Sequence, residues 1–317
     1  MKKLISVLLL LCMLTALFAL PICAEGEAIQ VGALTGPTAM GMVKLLEDGK
    51  DTYEPTILGA ADELVPLILQ GKVDIASVPA NLAATLYNKT EGGIVVAGIN
   101  TLGVLYIVGT DESISSTADL AGRTIYTTGQ GTTPEYTLRY ILSGNGLNPD
   151  SDVTIEFKSE AAEVVSALSE NPDAIAMLPQ PYVTVAMNNN DKLEILLDVT
   201  GEWEKLDSSS TVVTGVVVAR KEWVDSHEDA FKAFLNEYPA SAAYTNENID
   251  DAAALIEQFG IFKAAIAKKA IPYCNVTFID GEAMKTRISS YLTALYEQNP
   301  ASVGGSLPED DFYYIVK

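Results

Sequence analysis

Histidine is almost missing from this chain: His227 is the only one among 317 residues. It lies in the hydrophilic run Asp225-Ser226-His227-Glu228-Asp229, which reads as a solvated helix cap rather than a general base. A lone histidine leaves no Ser-His-Asp or Cys-His pair to activate a nucleophile. It also leaves no HExxH zinc motif. Cysteine is scarce too, with three in all. Cys12 and Cys23 sit in the N-terminal segment, so Cys274 stands alone in the rest and can form neither an internal disulfide nor a cysteine-rich zinc site. It reads as a small buried hydrophobe. Basic residues number 20 against 42 acidic ones, a formal net charge of −22. That balance argues against nucleic acid as a partner, because phosphate neutralisation needs basic patches, and equally against adsorption to anionic lipid through basic residues. The acidity reads as a solubility device. There is no CxxC, no GxxxxGK[ST] and no GxGxxG; Thr128-Gly129-Gln130-Gly131 is a fragment that lacks the third glycine. These absences predict no catalytic residues, no metal and no cofactor.

Long apolar runs are confined to the start of the chain. Lys2 and Lys3 form a charged region, Leu4 to Leu20 an apolar one, and Pro21-Ile22-Cys23-Ala24 a cleavage region, so residues 1–24 read as a signal peptide cut before Glu25. The competing outcome is lipidation of Cys23. Pro21 and Ile22 suit a lipoprotein signal poorly, and plain secretion is the expectation. Beyond residue 24 no run reaches the ~18 apolar residues of a membrane span. The expected location is extracytoplasmic, either soluble or tethered at one end.

From residue 28 the pattern is strand–helix alternation. Ala28–Leu34 reads as a strand, Ala39–Leu46 as a helix that Thr35 or Thr38 can cap, and Pro55–Ala60 as a second strand. Such βαβ order signals parallel sheets covered by helices. The stretch Ala61–Leu86 then reads helix, strand, polar elbow, helix, and it recurs without a gap at Ala161–Ala186. Positions 61, 63, 65, 75, 76 and 79 carry the same residues as 161, 163, 165, 175, 176 and 179. The shared positions are a helix face, a strand and an elbow proline. Arg123–Thr127, a Gly/Thr loop and a helix over Pro134–Leu142 echo the first strand, loop and helix, with Thr132 and Glu135 spaced as a capping box. Thr200–Thr211 reads as a polar loop holding Trp203. Val212–Arg220 reads as a long return strand, and the chain beyond it as mostly helical. The tail 300–317, with Phe312, Tyr313 and Tyr314, is expected to pack on the first lobe.

The expected architecture is α/β with two lobes. Lobe 1 is discontinuous, residues 28–110 and 213–317, and lobe 2 is residues 111–212. Leu102–Gly109 and Val212–Arg220 carry the chain between them as hinge crossovers. In open α/β sheets ligands bind beyond the carboxyl ends of the strands. That rule selects Thr35, Gly36 and Thr38 after the first strand; Ser77, Pro79 and Asn81 in the first elbow; Gly129, Gln130, Gly131, Thr132 and Thr133 in the Gly/Thr loop; and Pro179, Gln180 and Tyr182 in the second elbow. Hydroxyls, amides and helix N-termini suit a small polar or anionic solute. Helix caps and turns need the same residue types. It is the recurrence of these loops at matching places in two lobes that favours binding.

Several motifs carry a resemblance over about residues 28–317: Gly71-Lys72-Val73-Asp74-Ile75-Ala76, Ala118-Asp119-Leu120-Ala121-Gly122, Gln180-Pro181 where relatives often have Glu-Pro, and Val216-Val217-Val218-Ala219-Arg220-Lys221. Together they resemble the extracytoplasmic solute-binding proteins of ABC importers, in the group for sulfonates, taurine, nitrate and thiamine-pyrimidine precursors (the NMT1/THI5-like group). The resemblance implies a type II periplasmic-binding-protein fold that closes on its solute, acts as a monomer, and delivers the solute to permease and ATPase subunits. It implies no cofactor, and it does not carry ligand identity, because relatives bind different solutes. Two other readings stay open: a secreted subunit presenting ligand to a receptor kinase, and a thiamine-pyrimidine-precursor enzyme. The second suits this chain poorly, since such enzymes consume an active-site histidine and His227 lies outside every candidate loop.

Overall fold

The computed structural model describes residues 28–171 and 173–316. Residues 1–24, expected to be a signal peptide and holding Cys12 and Cys23, lie outside the described residues. Eleven strands among them form two sheets: β1 (Ile29–Leu34), β2 (Tyr53–Leu58), β3 (Ile75–Pro79), β4 (Ile94–Leu102), β5 (Leu105–Gly109), β6 (Thr124–Thr127), β7 (Thr154–Phe157), β8 (Ile175–Pro179), β9 (Glu194–Asp198), β10 (Val213–Arg220) and β11 (Val276–Ile279). The first sheet runs β11-β4-β10-β3-β1-β2 and the second β7-β6-β8-β5-β9.

The two sheets share one plan. In the first, β2, β1 and β3 are parallel and β10 joins β3 antiparallel. In the second, β7, β6 and β8 are parallel and β5 joins β8 antiparallel. The antiparallel strand is in each case the one arriving from the other lobe. The repeated stretch has the same form twice. Helices Ala61–Leu69 and Ala161–Glu170 bury Leu64 and Ile68, and Val164 and Leu168, at equivalent positions. Strands β3 and β8 have identical burial patterns, and helices Ala80–Lys89 and Tyr182–Asn189 follow.

Alternation explains why β10 is apolar throughout. Val216 and Val218 face one core, with the helices at 61–69, 80–89 and 281–298. Val217 and Ala219 face another, with Phe231, Phe234 and Tyr238 of the helix Glu228–Glu247. Successive side chains of a strand point to opposite faces, so a strand covered on both sides needs no polar positions. Pro55 is tolerated in β2 because that strand is the sheet edge. The tail packs on the first sheet as expected: the Tyr314 N–H donates to Val96 O at 2.8 Å and Phe312 is fully buried.

Four expectations are corrected. Leu105–Gly109 does not belong to lobe 1: as β5 it pairs with β8 and β9 in the second sheet. The chain therefore crosses at Gly103–Val104 rather than near residue 110. Its return lies in residues 207–212, before β10. Thr200–Thr211 is not all loop. Val199–Leu206 is a helix whose N-terminus is capped by the Asp198 carboxylate accepting from Thr200 N–H, and it buries Trp203 completely. The polar composition of that helix hid one apolar face. The stretch expected to be mostly helical also holds a short strand, Val276–Ile279, which pairs with β4 at the sheet edge. Finally, Thr35 and Thr38 do not cap the first helix. Gly36 is its N-cap, while the two hydroxyls donate to Leu58 O and Leu34 O.

Gly103 marks the first crossing for a steric reason. A Cβ there would lie 1.7 Å from Thr200 Oγ1. Only glycine lets the helix Val199–Leu206 close against the crossing strand.

Candidate functional site

The elbow after β8 reaches lobe 1 at Phe262, and the segments after β3 and β6 meet where the lobes face each other. One bond joins them directly: Thr133 Oγ1, from lobe 2, donates to Asn81 Oδ1, from lobe 1, at 2.8 Å. Both residues are buried, and Asn81 Nδ2 donates to Ser302 O at 3.2 Å. Helices Ala80–Lys89 and Thr133–Gly144 thus bring their N-terminal ends together, and neither start is capped by its N-cap side chain. Helix starts present N–H groups and a positive dipole end.

The seam is closed on two flanks. On one, Thr137 Oγ1 lies 3.3 Å from Tyr291 OH, and Asn299 Nδ2 donates to Tyr136 OH at 3.4 Å. Behind these, Tyr140 stacks on Trp203 at 3.8 Å and Trp203 leans on Tyr291. Burial pushes the Tyr291 phenol up to about 12. On the other flank Tyr182 meets Phe262 edge-on at 5.4 Å, Tyr106 OH donates to Tyr273 O, and Lys269 donates to Asn188. Burial also raises the Tyr182 phenol.

The remaining candidates fall into four groups. Gly36 sits at φ 136°, a conformation reserved for glycine, and nothing lies within 4 Å of where its Cβ would be. Gly36, Pro37 and Thr38 are buried and Thr35 is half-buried. Ser77, by contrast, is turned into lobe 1: it is 1% exposed and accepts from Asn100 Nδ2 at 2.9 Å. Pro79 ends β3 and is half-buried. In the Gly/Thr loop, Gln130, Gly131 and Thr132 are exposed and Gly129 half-buried. The expected capping box is absent: Thr132 Oγ1 donates to Gly129 O, and the Glu135 carboxylate accepts from Gly131 N–H and Arg139 Nε. The glycines at φ 75° and 73° fold the loop back, so the threonine finds a local carbonyl first. In the second elbow Gln180 is buried; its N–H donates to Val104 O at the crossing and its side-chain oxygen accepts from Thr184. The Gln180-Pro181 bond is cis.

None of the fourteen candidates carries a charge. The nearest basic groups are taken: Arg139 bridges Glu135 and Asp150, and Arg123 pairs with Asp111. A cavity of about 700 Å³ adjoins the seam, lined by Gln130, Gly131, Tyr136 and Arg139 of lobe 2 and by Gln298 and Asn299 of lobe 1. A second, of about 1080 Å³, lies at the far end of the first sheet beside His227. There His227 is exposed and stacks on Trp223, with its Nδ1 near Ser226 Oγ. Among the described residues no cluster of His, Cys, Asp or Glu could hold a metal ion. Cys274 is free, buried, and pushed up by its burial.

Two motif acids have structural roles. Asp74 accepts from Arg220 Nη2 at 2.6 Å and from Gln30 N–H at 3.0 Å, tying β3 to β10 and β1. Asp119 accepts from the N–H groups of Ser115 and Ser116 and so closes the turn before β6. Asn100, which the sequence reading passed over, is a buried hub; an Asn-Thr pair ending an apolar strand was its one available signal.

With this geometry in hand, the comparisons with known proteins decide the family. The model of periplasmic substrate-binding proteins of phosphonate ABC transporters matches residues 48–270. The chain belongs to that family. It is the solute-binding component of an ABC importer, a class that works with permease and ATPase subunits. No curated protein matches the chain. Solved structures agree on the fold. An ABC transporter protein from Parabacteroides distasonis superposes with a TM-score of 0.77 at 23% identity, covering 92% of this chain and 99% of that one. The periplasmic aliphatic sulphonate binding protein SsuA from Escherichia coli gives 0.70 at 16%, covering 92% and 94%. The periplasmic nitrate-binding protein NrtA from Synechocystis PCC 6803 gives 0.54 at 17%, covering 73% and 65%. The two-sheet architecture is that of type II periplasmic binding proteins. Family members act outside the cytoplasm, and no helix among the described residues is long and apolar enough to cross a membrane.

Proposed function

We propose that the seam between the lobes captures a small polar or anionic solute with several acceptor oxygens, such as a phosphonate, a sulfonate or nitrate. The observation that carries this reading is the Thr133–Asn81 bond at 2.8 Å, which sets two helix starts face to face, with Arg139 of one of these helices already paired to Glu135 and Asp150. An oxyanion there is held by N–H groups, hydroxyls and amides rather than by a counter-charge. The family is named for phosphonate transport, and the similar structures include a sulphonate-binding and a nitrate-binding protein; all three solutes are compact oxyanions. In this reading the backbone at Thr35, Gly36, Thr38, Thr132 and Thr133 lines the solute, a threonine hydroxyl donating to it only by leaving its present acceptor, and Tyr182 forms a wall. The protein binds and releases its solute unchanged, as a monomer, after losing residues 1–24. The lobes, residues 28–104 with 213–317 and residues 105–212, close about residues 103–104 and 207–212, since only a closed form contacts solute from both sides.

Thermal melts with methylphosphonate, ethanesulfonate, nitrate and a hydroxymethylpyrimidine test this reading. A solute at a hundred times its Kd stabilises by about 2.7 kcal/mol, which is a shift of about 4 °C for a chain of this size. The expected result is such a shift with at least one oxyanion, and recovery of that solute chemically unchanged. No shift with any of them, or a shift with the pyrimidine alone, overturns the reading.

A further inference from the structure

We propose that Asn100 is a positioning residue of the solute site, holding the Thr35–Thr38 loop in its binding geometry from below. This rests on the reading of that loop as part of the site. Asn100 is 1% exposed, yet its side chain is wholly polar. Its Nδ2 faces Thr38 O at 3.0 Å, Ser77 Oγ at 2.9 Å and Tyr238 OH at 3.1 Å, and its Oδ1 accepts from Thr101 Oγ1 at 3.2 Å. One side chain thereby reaches the loop after β1, the end of β3, the helix Glu228–Glu247 and its own strand.

The backbone is built to place it. Along β10 the register steps from Val216 opposite Ile99 to Gly215 opposite Thr101, so β4 gains one residue there and Asn100 is that residue. A bulge of this kind interrupts pairing and re-aims a side chain. Gly215 completes the arrangement, because a Cβ on it would lie 2.5 Å from Asn100 Oδ1 and 2.6 Å from Thr38 Cγ2. The hub also sits at both interlobe connections, three residues before Gly103 and against the first residues of β10. A buried polar hub is costly unless its partners are met. Packing alone would be served as well by leucine. What leucine cannot do is grip the Thr38 carbonyl and so fix the turn Pro37–Met40 and the Gly36 backbone. Ser77, expected as a solute contact, instead accepts from Asn100 inside lobe 1 and does not itself touch the Thr38 carbonyl.

The test uses hydrogen–deuterium exchange and titration on the mature protein. Asn100→Leu removes every polar contact. Asn100→Asp keeps size and still accepts from the Thr101, Ser77 and Tyr238 hydroxyls, but as a carboxylate cannot donate to Thr38 O. Ser77→Ala spares the Thr38 bond. Losing a hydrogen bond of ordinary strength speeds local exchange by about tenfold. Both Asn100 variants should show that increase over residues 35–42, with residues 133–144 unchanged, while Ser77→Ala changes neither. Methylphosphonate affinity should fall by about tenfold in the same two variants. Unchanged exchange over 35–42 in a folded Asn100→Asp overturns the proposal, and so does a uniform increase across the chain. If methylphosphonate fails to bind the parent protein, the solute reading suffers and exchange still decides the role of Asn100.

Discussion

Thr133→Val removes one hydroxyl and keeps the side chain's shape. Thr133 is 4% exposed and Asn81 5%, so water cannot replace what is lost. The bond at 2.8 Å is well formed, and its loss leaves Asn81 Oδ1 buried without that donor. An orphaned neutral acceptor costs about 1–3 kcal/mol. The two residues belong to different lobes, so the cost falls on the closed arrangement and little of it on either lobe alone. If closure is what binding requires, a closed-state cost of about 1–3 kcal/mol weakens affinity by about 5- to 150-fold. Isothermal titration of parent and variant measures this directly, with urea unfolding of both as the stability control. Thr133→Ser, which restores the hydroxyl, should recover most of the affinity. Affinity within twofold of the parent in Thr133→Val would refute the reasoning, as would a loss of affinity that serine fails to repair.

Other expectations follow from single contacts. Asp74→Asn breaks a largely buried ion pair with Arg220 and should cost about 3 kcal/mol in urea unfolding without moving solute affinity; a cost below about 1 kcal/mol would show the pair to be surface-like. Gly103→Ala drives a methyl to 1.7 Å from Thr200 Oγ1 and should cost about 1–3 kcal/mol, with Thr200→Ala as the rescuing second change. Failure of the rescue would place the strain elsewhere. Glu202 is raised by its burial, but the Lys205 ammonium and the Thr117 hydroxyl and N–H outweigh this and hold it below its ordinary value of 4.5. A group depressed on folding contributes stability that is complete above about pH 4.5 and is lost as pH falls through its folded value. Unfolding midpoints between pH 5 and 3 should therefore fall more steeply for the parent than for Glu202→Gln, and equal slopes would remove Glu202 from the acid response.

Much of the architecture was legible because it is written in local patterns. Helix, strand, elbow and helix at 61–86 recur at 161–186 with the same buried faces, and the parallel order follows from alternation. What escaped was decided by long-range pairing. Nothing within Leu105–Gly109 says that it pairs with β8 rather than with β4, so the crossing was placed about six residues late. Trp203 sits in a polar helix with a single apolar face, and Val276–Ile279 is too short to show a period. The candidate site was legible as a set of loops, since strand ends are easily found. The use of each side chain was not: Thr35, Thr38, Ser77 and Thr132 all spend a hydrogen bond inside their own lobe, and only the folded chain shows that Thr133 reaches across. Asn100 carried no motif, and its role depends on a bulge set by β10 and on a tyrosine 138 residues away.

The central claim is that this seam holds a small oxyanion or comparably polar solute. Native mass spectrometry of the mature protein, titrated with methylphosphonate, ethanesulfonate and nitrate, tests it most directly. A one-to-one complex with at least one of the three is expected, abolished or sharply weakened in Thr133→Val. Binding of none of them, or binding unaffected by Thr133→Val, would contradict it.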